Sequence, residues 1–287
     1  MKELIPWFIK IPAKIVLSRL PVGYQQWRRL NLFVAGTMNR PKYAFDVFKR
    51  HSEAAGFSTL RGRTVLELGP GDSLLTALYA ASFGASRTWL IDAAPLASQE
   101  SNLFAQAEQL LTQLELPVPG VCGKRSLSAI LESLNANYLT QGLASLKTVP
   151  DGAVDLVLSQ AVLEHVRLAD FRKILIEMRR VLKPEGVASH VVDFRDHLQN
   201  GLNNLRFPSW VWESEFMARS GFYTNRLTWP AMEKLFQENG LSVQVRSIDL
   251  WPNGLPTPQR SMVLPFRKMC PNELMVKGAH LVARPLP

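Results

Sequence analysis

The chain has 287 residues, of which 47% are hydrophobic and 20% are charged. These values are typical of a folded globular protein and exclude wholesale disorder. The formal net charge of +9 is concentrated at the start, since residues 1–50 hold ten Lys or Arg against Glu3 and Asp46. The remaining residues, with 23 basic and 22 acidic side chains, are nearly neutral, which argues against a basic nucleic-acid-binding face spread over the whole chain.

The N-terminal 55 residues predict a basic, aromatic helical arm. Leu4, Phe8, Ile11, Ile15 and Leu20 fall roughly on one face of a helix that Pro12 disturbs. A second helix is predicted at about 43–55. Lysines and prolines interrupt the apolar stretch near the N-terminus, so we expect neither a membrane span, which needs ~18 apolar residues, nor a signal peptide.

Downstream of the arm, predicted strands alternate with predicted helices. The strands lie at 64–68, 88–92, 137–139, 154–159 and 187–194, and the helices between them lie at 74–81, 98–116, 126–135 and 171–182. Apolar strands in this alternation are typical of a parallel sheet with helices on both faces. Such sheets bind ligands at the carboxyl ends of their strands, so the residues that follow each strand are the candidates for a site.

A glycine-rich turn follows the first predicted strand, in the segment Glu67-Leu68-Gly69-Pro70-Gly71. Its glycines permit a tight turn and a close approach of the backbone to a ligand. Asp92 ends the next strand, where a ribose-binding acid lies in nucleotide-binding βαβ units. Leu74 occupies the position of the third glycine of a dinucleotide motif, so a pyrophosphate-binding loop is not indicated.

Three further motifs follow in order, and with the glycine turn and Asp92 they resemble class I S-adenosylmethionine (SAM)-dependent methyltransferases. They are Asp155-Leu156-Val157-Leu158-Ser159, Val162-Leu163-Glu164-His165-Val166 and Arg180-Val181-Leu182-Lys183-Pro184-Glu185-Gly186. The resemblance implies a Rossmann-like, doubly wound, mostly parallel seven-stranded sheet with helices on both faces. Predicted strands at 241–248 and 280–283 would form its antiparallel hairpin. The implied methyltransferase domain covers 56–287, with an aromatic-rich insertion at about 198–230 after strand 5.

The same resemblance implies which residues bind SAM. They are Glu67, Gly69, Pro70, Gly71, Asp92, Ala93, Ala144, Ser159 and Gln160. Glu67 would order the amino group of the cofactor, and Asp92 would accept hydrogen bonds from its ribose. Many relatives place an Asp after the third strand to hold adenine. This chain has Leu143 near that position, so adenine would rest on backbone groups and apolar side chains.

His165, Asp193 and His197 are the candidate catalytic residues, because they follow the fourth and fifth strands. A histidine or carboxylate beside a methyl donor can remove the proton of an acceptor hydroxyl. The alternative for each is a packed or solvated side chain without a catalytic role. Since Cys122 and Cys270 are far apart and no Cys/His cluster occurs in the sequence, we expect no metal site and metal-independent catalysis.

A narrower resemblance concerns methyltransferases encoded beside surface-polysaccharide genes, and it is based on Asp196-His197 and Asn225-Arg226-Leu227. We therefore expect a small-molecule or saccharide acceptor, including a lipid-linked one, methylated at oxygen. The insertion aromatics either stack on sugars or pack the insertion onto the sheet. The separated thiols fit a cytoplasmic location, and the basic arm either contacts the inner face of an anionic membrane or docks on the domain. An RNA methyltransferase and a non-catalytic SAM-fold binding protein are the alternative functions.

Overall fold

The computed structural model describes residues 6–17, 19, 37–98, 101–124 and 126–287. Its strands are β1 (Thr64–Leu68), β2 (Arg87–Ile91), β3 (Ala136–Leu139), β4 (Val154–Gln160), β5 (Leu182–Asp193), β6 (Leu241–Leu250) and β7 (Val276–Pro285). The helices from the arm to β4 are α1 (Trp7–Leu17), α2 (Pro41–Ala55), α3 (Leu75–Ser82), α4 (Asn102–Gln113), α5 (Leu127–Ser133) and α6 (Leu143–Leu146). The later helices are α7 (Leu168–Val181), α8 (Ser209–Trp212), α9 (Glu215–Ala218), α10 (Trp229–Glu238) and α11 (Pro271–Leu274).

The seven strands form one sheet in the order β3-β2-β1-β4-β5-β7-β6. The pairs from β3 to β5 are parallel, whereas β7 is antiparallel to both β5 and β6. The chain order reverses its direction across the sheet between β1 and β4, and this switch point is where open α/β sheets bind ligands. The expected Rossmann-like seven-stranded fold with a closing antiparallel hairpin is confirmed.

Apolar side chains on both faces explain why the central strands are buried. Leu66 and Val157 point into a core formed with α7 and α10, and Val65 and Leu156 point into the core on the opposite face, formed with α2, α3 and α4. Alternate residues of one strand thus contact different helices, as expected for a sheet that is covered on both faces.

The predicted boundary between arm and domain at residue 55 does not match the packing of α2. Phe45 and Phe48 of this helix are buried, and both contact Tyr79 of α3. Because α2 forms part of the core beside β1, it belongs to the domain rather than to a separate arm. β5 also begins five residues earlier than predicted, at Leu182, and its register against β4 shifts between Val154 and Leu156.

Helix α1 packs on the insertion that follows β5. Trp7, Ile11 and Ile15 contact an apolar cluster of the insertion, formed by Leu198, Trp212, Met217, Phe222 and Tyr223. Phe8 does not share their buried face, because its side chain is 57% exposed. Leu4 and Leu20, which the sequence placed on the same face, lie outside the described residues.

Most of the insertion aromatics pack against protein. Trp212, Phe222, Tyr223 and Trp229 are buried, and Phe207 is half-buried and stacks on Trp212. Trp210 and Phe216 are the exceptions, with 80% and 56% exposure. The insertion therefore has its own small core, and two of its aromatic side chains face solvent.

Candidate active site

The glycine turn after β1 depends on backbone angles that favour glycine. Gly69 and Gly71 have φ angles of 68° and 63°, in the left-handed region. A Cβ atom on Gly69 would also lie 2.5 Å from Cγ2 of Val162, in the segment after β4. The turn therefore presents backbone atoms and contacts the segment that leads to His165.

Asp92 organises three loops at this sheet edge. Its Oδ2 accepts a hydrogen bond from the Gly71 N–H at 2.9 Å, and its Oδ1 accepts one from the Ala93 N–H at 2.7 Å. Its backbone carbonyl accepts from the Gly142 N–H, in the loop after β3, at 2.8 Å. Burial raises the pKa of Asp92, and the backbone N–H groups oppose that increase. Ala94 is a further backbone donor to this carboxylate, and its remaining lone pairs are available to a ligand hydroxyl.

Glu67, on β1 beside the glycine turn, lacks a full set of partners. The residue is 1% exposed, and its Oε2 has no hydrogen-bond partner among the described residues. Burial raises the pKa of Glu67 to about 8, and the charge of Asp92 adds to this increase. A cationic amino group would satisfy the carboxylate and favour its ionised form. The site therefore fits the amino-acid end of SAM.

The side chains of Ser159 and Gln160 are engaged elsewhere. The Ser159 hydroxyl is buried and hydrogen-bonded to Nδ1 of His190 at 2.7 Å. The Gln160 carbonyl oxygen lies 3.0 Å from an Arg50 guanidinium nitrogen and 3.3 Å from Nε2 of His51. These hydrogen bonds use the Ser159 hydroxyl and the side-chain carbonyl oxygen of Gln160, so the predicted contact with SAM would involve their backbone or the Gln160 amide nitrogen. Ala93 and Ala144, by contrast, are exposed beside the Asp92 loops.

Three side chains meet at the carboxyl ends of β4 and β5. Glu164 and His165 lie in a 3₁₀ turn after β4, and His197 lies in the loop after β5. The two imidazole rings stack at 4.7 Å between centroids, and their Nε2 atoms are 3.1 Å apart. One donor atom from each of the three residues lies within 4.8 Å of the others. We call Glu164, His165 and His197 the EHH cluster.

The turn that carries His165 is held by the insertion. Nδ1 of His165 lies 3.0 Å from the carbonyl of Tyr223, to which it donates in the neutral ring. The Asn225 side-chain amide donates to the carbonyls of Leu163 and Val166 at 2.8 and 3.1 Å. Asn225 of the Asn-Arg-Leu motif thus has a structural role beside the cluster.

The loop that carries His197 is built around the buried carboxylate of Asp196. Its Oδ1 accepts from the N–H groups of Leu198 and Gln199, and its Oδ2 accepts from both nitrogens of Asn203. Lys14 of α1 donates a 2.7 Å hydrogen bond to the His197 carbonyl. The position of His197 therefore depends on Asp196 and on the N-terminal helix.

Asp193 lies near the cluster but is ion-paired. Its two carboxylate oxygens accept from Nε and one terminal nitrogen of Arg195 at 2.9 and 2.7 Å. A bidentate pair of this kind fixes the orientation of the carboxylate and engages both of its oxygens. Among the three candidate catalytic residues, the structure therefore brings His165 and His197 together and engages Asp193 with a cation.

The surroundings of the EHH cluster shift the pKa of each of its three side chains towards the neutral form. Burial lowers the pKa of His165, and burial followed by the nearby His165 lowers the pKa of His197 to about 4. Burial raises the pKa of Glu164 well above its ordinary value, and the charge of Asp193 adds to the effect. Near neutral pH the two imidazoles are therefore unprotonated and can accept a proton or bind a cation.

Comparison with known proteins identifies the type of domain that contains this site. Residues 66–189 match the family model described as a methyltransferase domain. The matched segment, which is less than half of the chain, is a methyltransferase domain. The protein is thus an enzyme with SAM as its cofactor, and the matched residues include Glu67, the glycine turn, Asp92 and His165. A comparison with curated proteins finds no match.

Solved structures similar to this methyltransferase come from several organisms. The YcgJ protein from Bacillus subtilis has 17% identity and a TM-score of 0.47, covering 84% of this chain and 99% of its own. A SAM-dependent methyltransferase from Mesorhizobium loti has 14% identity and a TM-score of 0.43, covering 81% and 94%. An arsenic(III) SAM methyltransferase from Chlamydomonas reinhardtii has 17% identity and a TM-score of 0.42, covering 79% and 64%.

Sequence reasoning missed the contribution of Glu164 to the site. It named His165 and His197 as separate candidate bases and did not place Glu164 beside them. The signal it passed over was a carboxyl residue next to a candidate histidine, on a turn after a strand. His197 is 32 residues further along the chain than His165, and only the folded loop shows that the two rings lie side by side.

Proposed function

We propose that this methyltransferase transfers a methyl group from SAM to a hydroxyl oxygen of a small-molecule or saccharide acceptor, including a lipid-linked one. The observation that carries the proposal is the position of the EHH cluster. The glycine turn contacts Val162, three residues before His165, so the cluster adjoins the SAM loops. An acceptor in the cleft would have its reactive hydroxyl between the cofactor and the two imidazoles.

The chemistry divides between cofactor and protein. When bound, SAM supplies a methyl carbon on a sulfonium, so the new C–O bond forms as the C–S bond breaks and the sulfur keeps the electron pair. The protein positions the acceptor oxygen in line, which contributes up to about 7–11 kcal/mol of the barrier. The EHH cluster ionises the hydroxyl, and removal of its proton contributes about 10²- to 10⁴-fold in rate.

The surface around His197 supports a saccharide acceptor. An open cleft beside the cluster loop is lined by Trp7, Gln199, Gly201, Asn203, Arg206 and Pro256. An aromatic ring together with amide and guanidinium groups provides both an apolar face and hydrogen-bond donors, and sugars present complementary surfaces. Arg206 also lies over the ring of Trp7, at 5.3 Å from its centroid.

Exposed apolar side chains on α1, α8 and α9 support a peripheral contact with the inner face of the cell membrane. Phe8, Ile9 and Val16 are 50–61% exposed, and Trp210 and Phe216 are 80% and 56% exposed. Arg19 lies over the Phe216 ring at 4.0 Å. Aromatic and basic residues together favour the interface of an anionic bilayer. No helix among the described residues is long and apolar enough to cross a bilayer.

The test begins with calorimetric titration of SAM and its demethylated product into wild-type protein and the Asp92→Ala variant. Loss of the hydrogen bonds at Asp92 should weaken binding about 10- to 100-fold, since bonds to charged groups contribute about 1.5–3 kcal/mol. Radiolabelled SAM is then offered with free and lipid-linked glycans. Transfer that the His165→Gln variant lowers about 10²-fold or more supports the proposal. Methylation of RNA instead of these acceptors would contradict it.

A further inference from the structure

We infer that the EHH cluster is a binding site for a divalent transition-metal ion, with zinc best suited to its donors. Two imidazole nitrogens and one carboxylate are a common set of three protein ligands at catalytic zinc sites, where the fourth position stays open. The ion would bind the acceptor hydroxyl and lower its pKa. This role rests on the function proposed above, whereas the binding of the ion does not.

The distances in the cluster suit a single ion. The Nε2 atoms of His165 and His197 are 3.1 Å apart, and tetrahedral zinc with Zn–N bonds of about 2.0–2.1 Å separates two ligand atoms by about 3.3 Å. The carboxylate of Glu164 supplies a third donor atom within 4.8 Å of both. Small side-chain rotations would bring all three onto one ion.

The hydrogen bonds of His165 prepare its Nε2 to bind a metal. Nδ1 donates to the Tyr223 carbonyl, so the neutral ring has a lone pair on Nε2, directed at His197. Metal-bound histidines almost always donate their second nitrogen to a carbonyl or carboxylate in this way. A cation between the two Nε2 atoms would satisfy both rings at once.

Glu164 provides independent support, because its carboxyl group is buried without a side-chain partner among the described residues. The residue is 2% exposed, and neither of its oxygens has a hydrogen-bond partner among the described residues. Buried carboxyl groups without partners are costly, and each requires an explanation such as a bound ion. A metal ion at the cluster would be the missing partner.

The charged side chains around the cluster are largely engaged with one another, and Arg195 is a cation whose charge also reaches Glu164. Asp193 is paired with Arg195, and Asp196 accepts four hydrogen bonds in its own loop. Lys14 donates to the His197 carbonyl. An ion held by three protein ligands would keep a fourth position open for an acceptor oxygen, and the hydroxyl proton would pass to water. A metal ion at the EHH cluster would differ from the sequence-based expectation of metal-independent catalysis.

Metal binding to the full chain tests the site directly. Tag-free protein is stripped with a chelator and dialysed, and Zn²⁺ binding is measured by equilibrium dialysis. Co²⁺ binding is followed through its visible absorption. The double variant Cys122→Ser/Cys270→Ser is the control, because both thiols are free and exposed and are alternative ligands. We expect one ion per chain in wild type and control.

Variants of the cluster decide the outcome. His197→Ala and Glu164→Gln should each weaken Zn²⁺ binding at least tenfold, with thermal unfolding showing that the variants are folded. His197→Gln, which retains an amide near the ring position, serves if His197→Ala does not fold. A wild-type protein that binds no stoichiometric metal, or cluster variants with wild-type affinity, would overturn the site.

Activity measurements separate this inference from the proposed function. Metal-free protein should bind SAM normally and lose at least tenfold of its methyl-transfer rate, which Zn²⁺ restores. Transfer at an unchanged rate in metal-free protein would overturn the role of the ion. Stoichiometric metal bound by the cluster in a protein that methylates no glycan would support the metal site and contradict the proposed acceptor.

Discussion

The backbone N–H of Asn225 donates a 2.7 Å hydrogen bond to the carbonyl of Glu164, so the insertion directly fixes the turn that carries the cluster. The Asn225 side chain adds hydrogen bonds to the carbonyls of Leu163 and Val166.

We expect Asn225→Ala to lower the free energy of unfolding by about 1–3 kcal/mol, because buried carbonyls lose their donors, and to reduce kcat. Denaturant unfolding and initial rates measure the two effects. Asn239→Ala, which removes a comparable bond to the Leu235 carbonyl away from the site, is the control. Equal rates in both variants would contradict a positioning role for Asn225.

Gly69→Ala should destabilise the protein and weaken SAM binding. Its added Cβ would lie 2.5 Å from Val162, at a φ of +68°. Gly62→Ala is the matched control, because Gly62 has a φ of +71° and nothing within 4 Å of the built Cβ. Because Gly62→Ala introduces the backbone strain without a steric contact, it should lower the free energy of unfolding by about 1–2 kcal/mol. Its affinity for SAM should equal that of the wild type. The double variant Gly69→Ala/Val162→Ala should partly recover both the free energy of unfolding and the affinity for SAM, as measured by denaturant unfolding and calorimetric titration. If Gly69→Ala and Gly62→Ala show equal stability and equal SAM affinity, the contact with Val162 is not the cause of the loss.

The buried carboxyl of Glu67 predicts a specific dependence of stability on pH. Burial raises the pKa of Glu67 from 4.5 to about 8, so between these values the folded state holds a proton that the unfolded state has released. Stability from this group therefore falls as pH rises through that window. Relative to Glu67→Gln, the wild-type protein should lose stability from pH 5 to pH 8, as measured by denaturant unfolding. Parallel pH profiles for the two proteins would contradict the raised pKa.

SAM binding should release a proton near pH 7. A cationic amino group beside Glu67 favours the ionised carboxylate, so the affinity should rise as pH approaches 8. Calorimetry in two buffers of different ionisation enthalpy measures the released protons, and Glu67→Gln should release fewer. Identical proton release in both proteins would show that the amino group does not contact Glu67.

Asp193 and His165 should respond differently to substitution, although both were candidate bases. Asp193 is paired with Arg195, so Asp193→Asn should act mainly by weakening that pair and lower kcat less than tenfold. His165→Gln should lower kcat about 10²-fold or more, since it removes a group of the cluster. Steady-state rates of the two variants at several pH values measure the difference in kcat. A larger loss of activity in Asp193→Asn would assign the proton transfer to the carboxylate.

Removal of two exposed aromatics should weaken membrane association. Trp210→Ser/Phe216→Ser removes side chains that are 80% and 56% exposed, and we expect at least a tenfold loss of binding to vesicles with anionic lipid, because each buried aromatic contributes about 1.5–3 kcal/mol. Ile176→Ser on α7, also exposed, is the control and should bind normally. Sedimentation with vesicles measures the bound fraction. Equal binding of all three proteins would contradict the proposed surface.

The features that sequence reasoning predicted are those that depend on short segments. The glycine turn and Asp92 follow from one strand–turn–helix–strand unit, because backbone angles and strand ends are local properties. The burial of β1 and β4 was likewise visible as runs of apolar residues. The hairpin of β6 and β7 was identified through resemblance to a family rather than from its residues alone.

The features it missed depend on long-range packing. Asp196 stands out in the sequence only as part of the Asp196-His197 pair, yet the residue is buried and shapes the loop that brings His197 to His165. No local pattern distinguishes a buried loop carboxylate from an exposed one. The packing of α2 is a second long-range feature, since only the contacts of Phe45 and Phe48 with Tyr79 of α3 show that this helix is part of the core.

The position of β7 between β5 and β6 has a consequence for the order of events during synthesis. On the ribosome, β2 to β5 can each pair as they emerge, because each has a neighbour in the sheet that precedes it in the chain. β6 emerges before β7 but pairs only with β7, so its edge has no partner until residues 276–285 have been made. A nascent chain halted before that point would expose an unpaired strand, which chaperones or proteases recognise and which promotes aggregation.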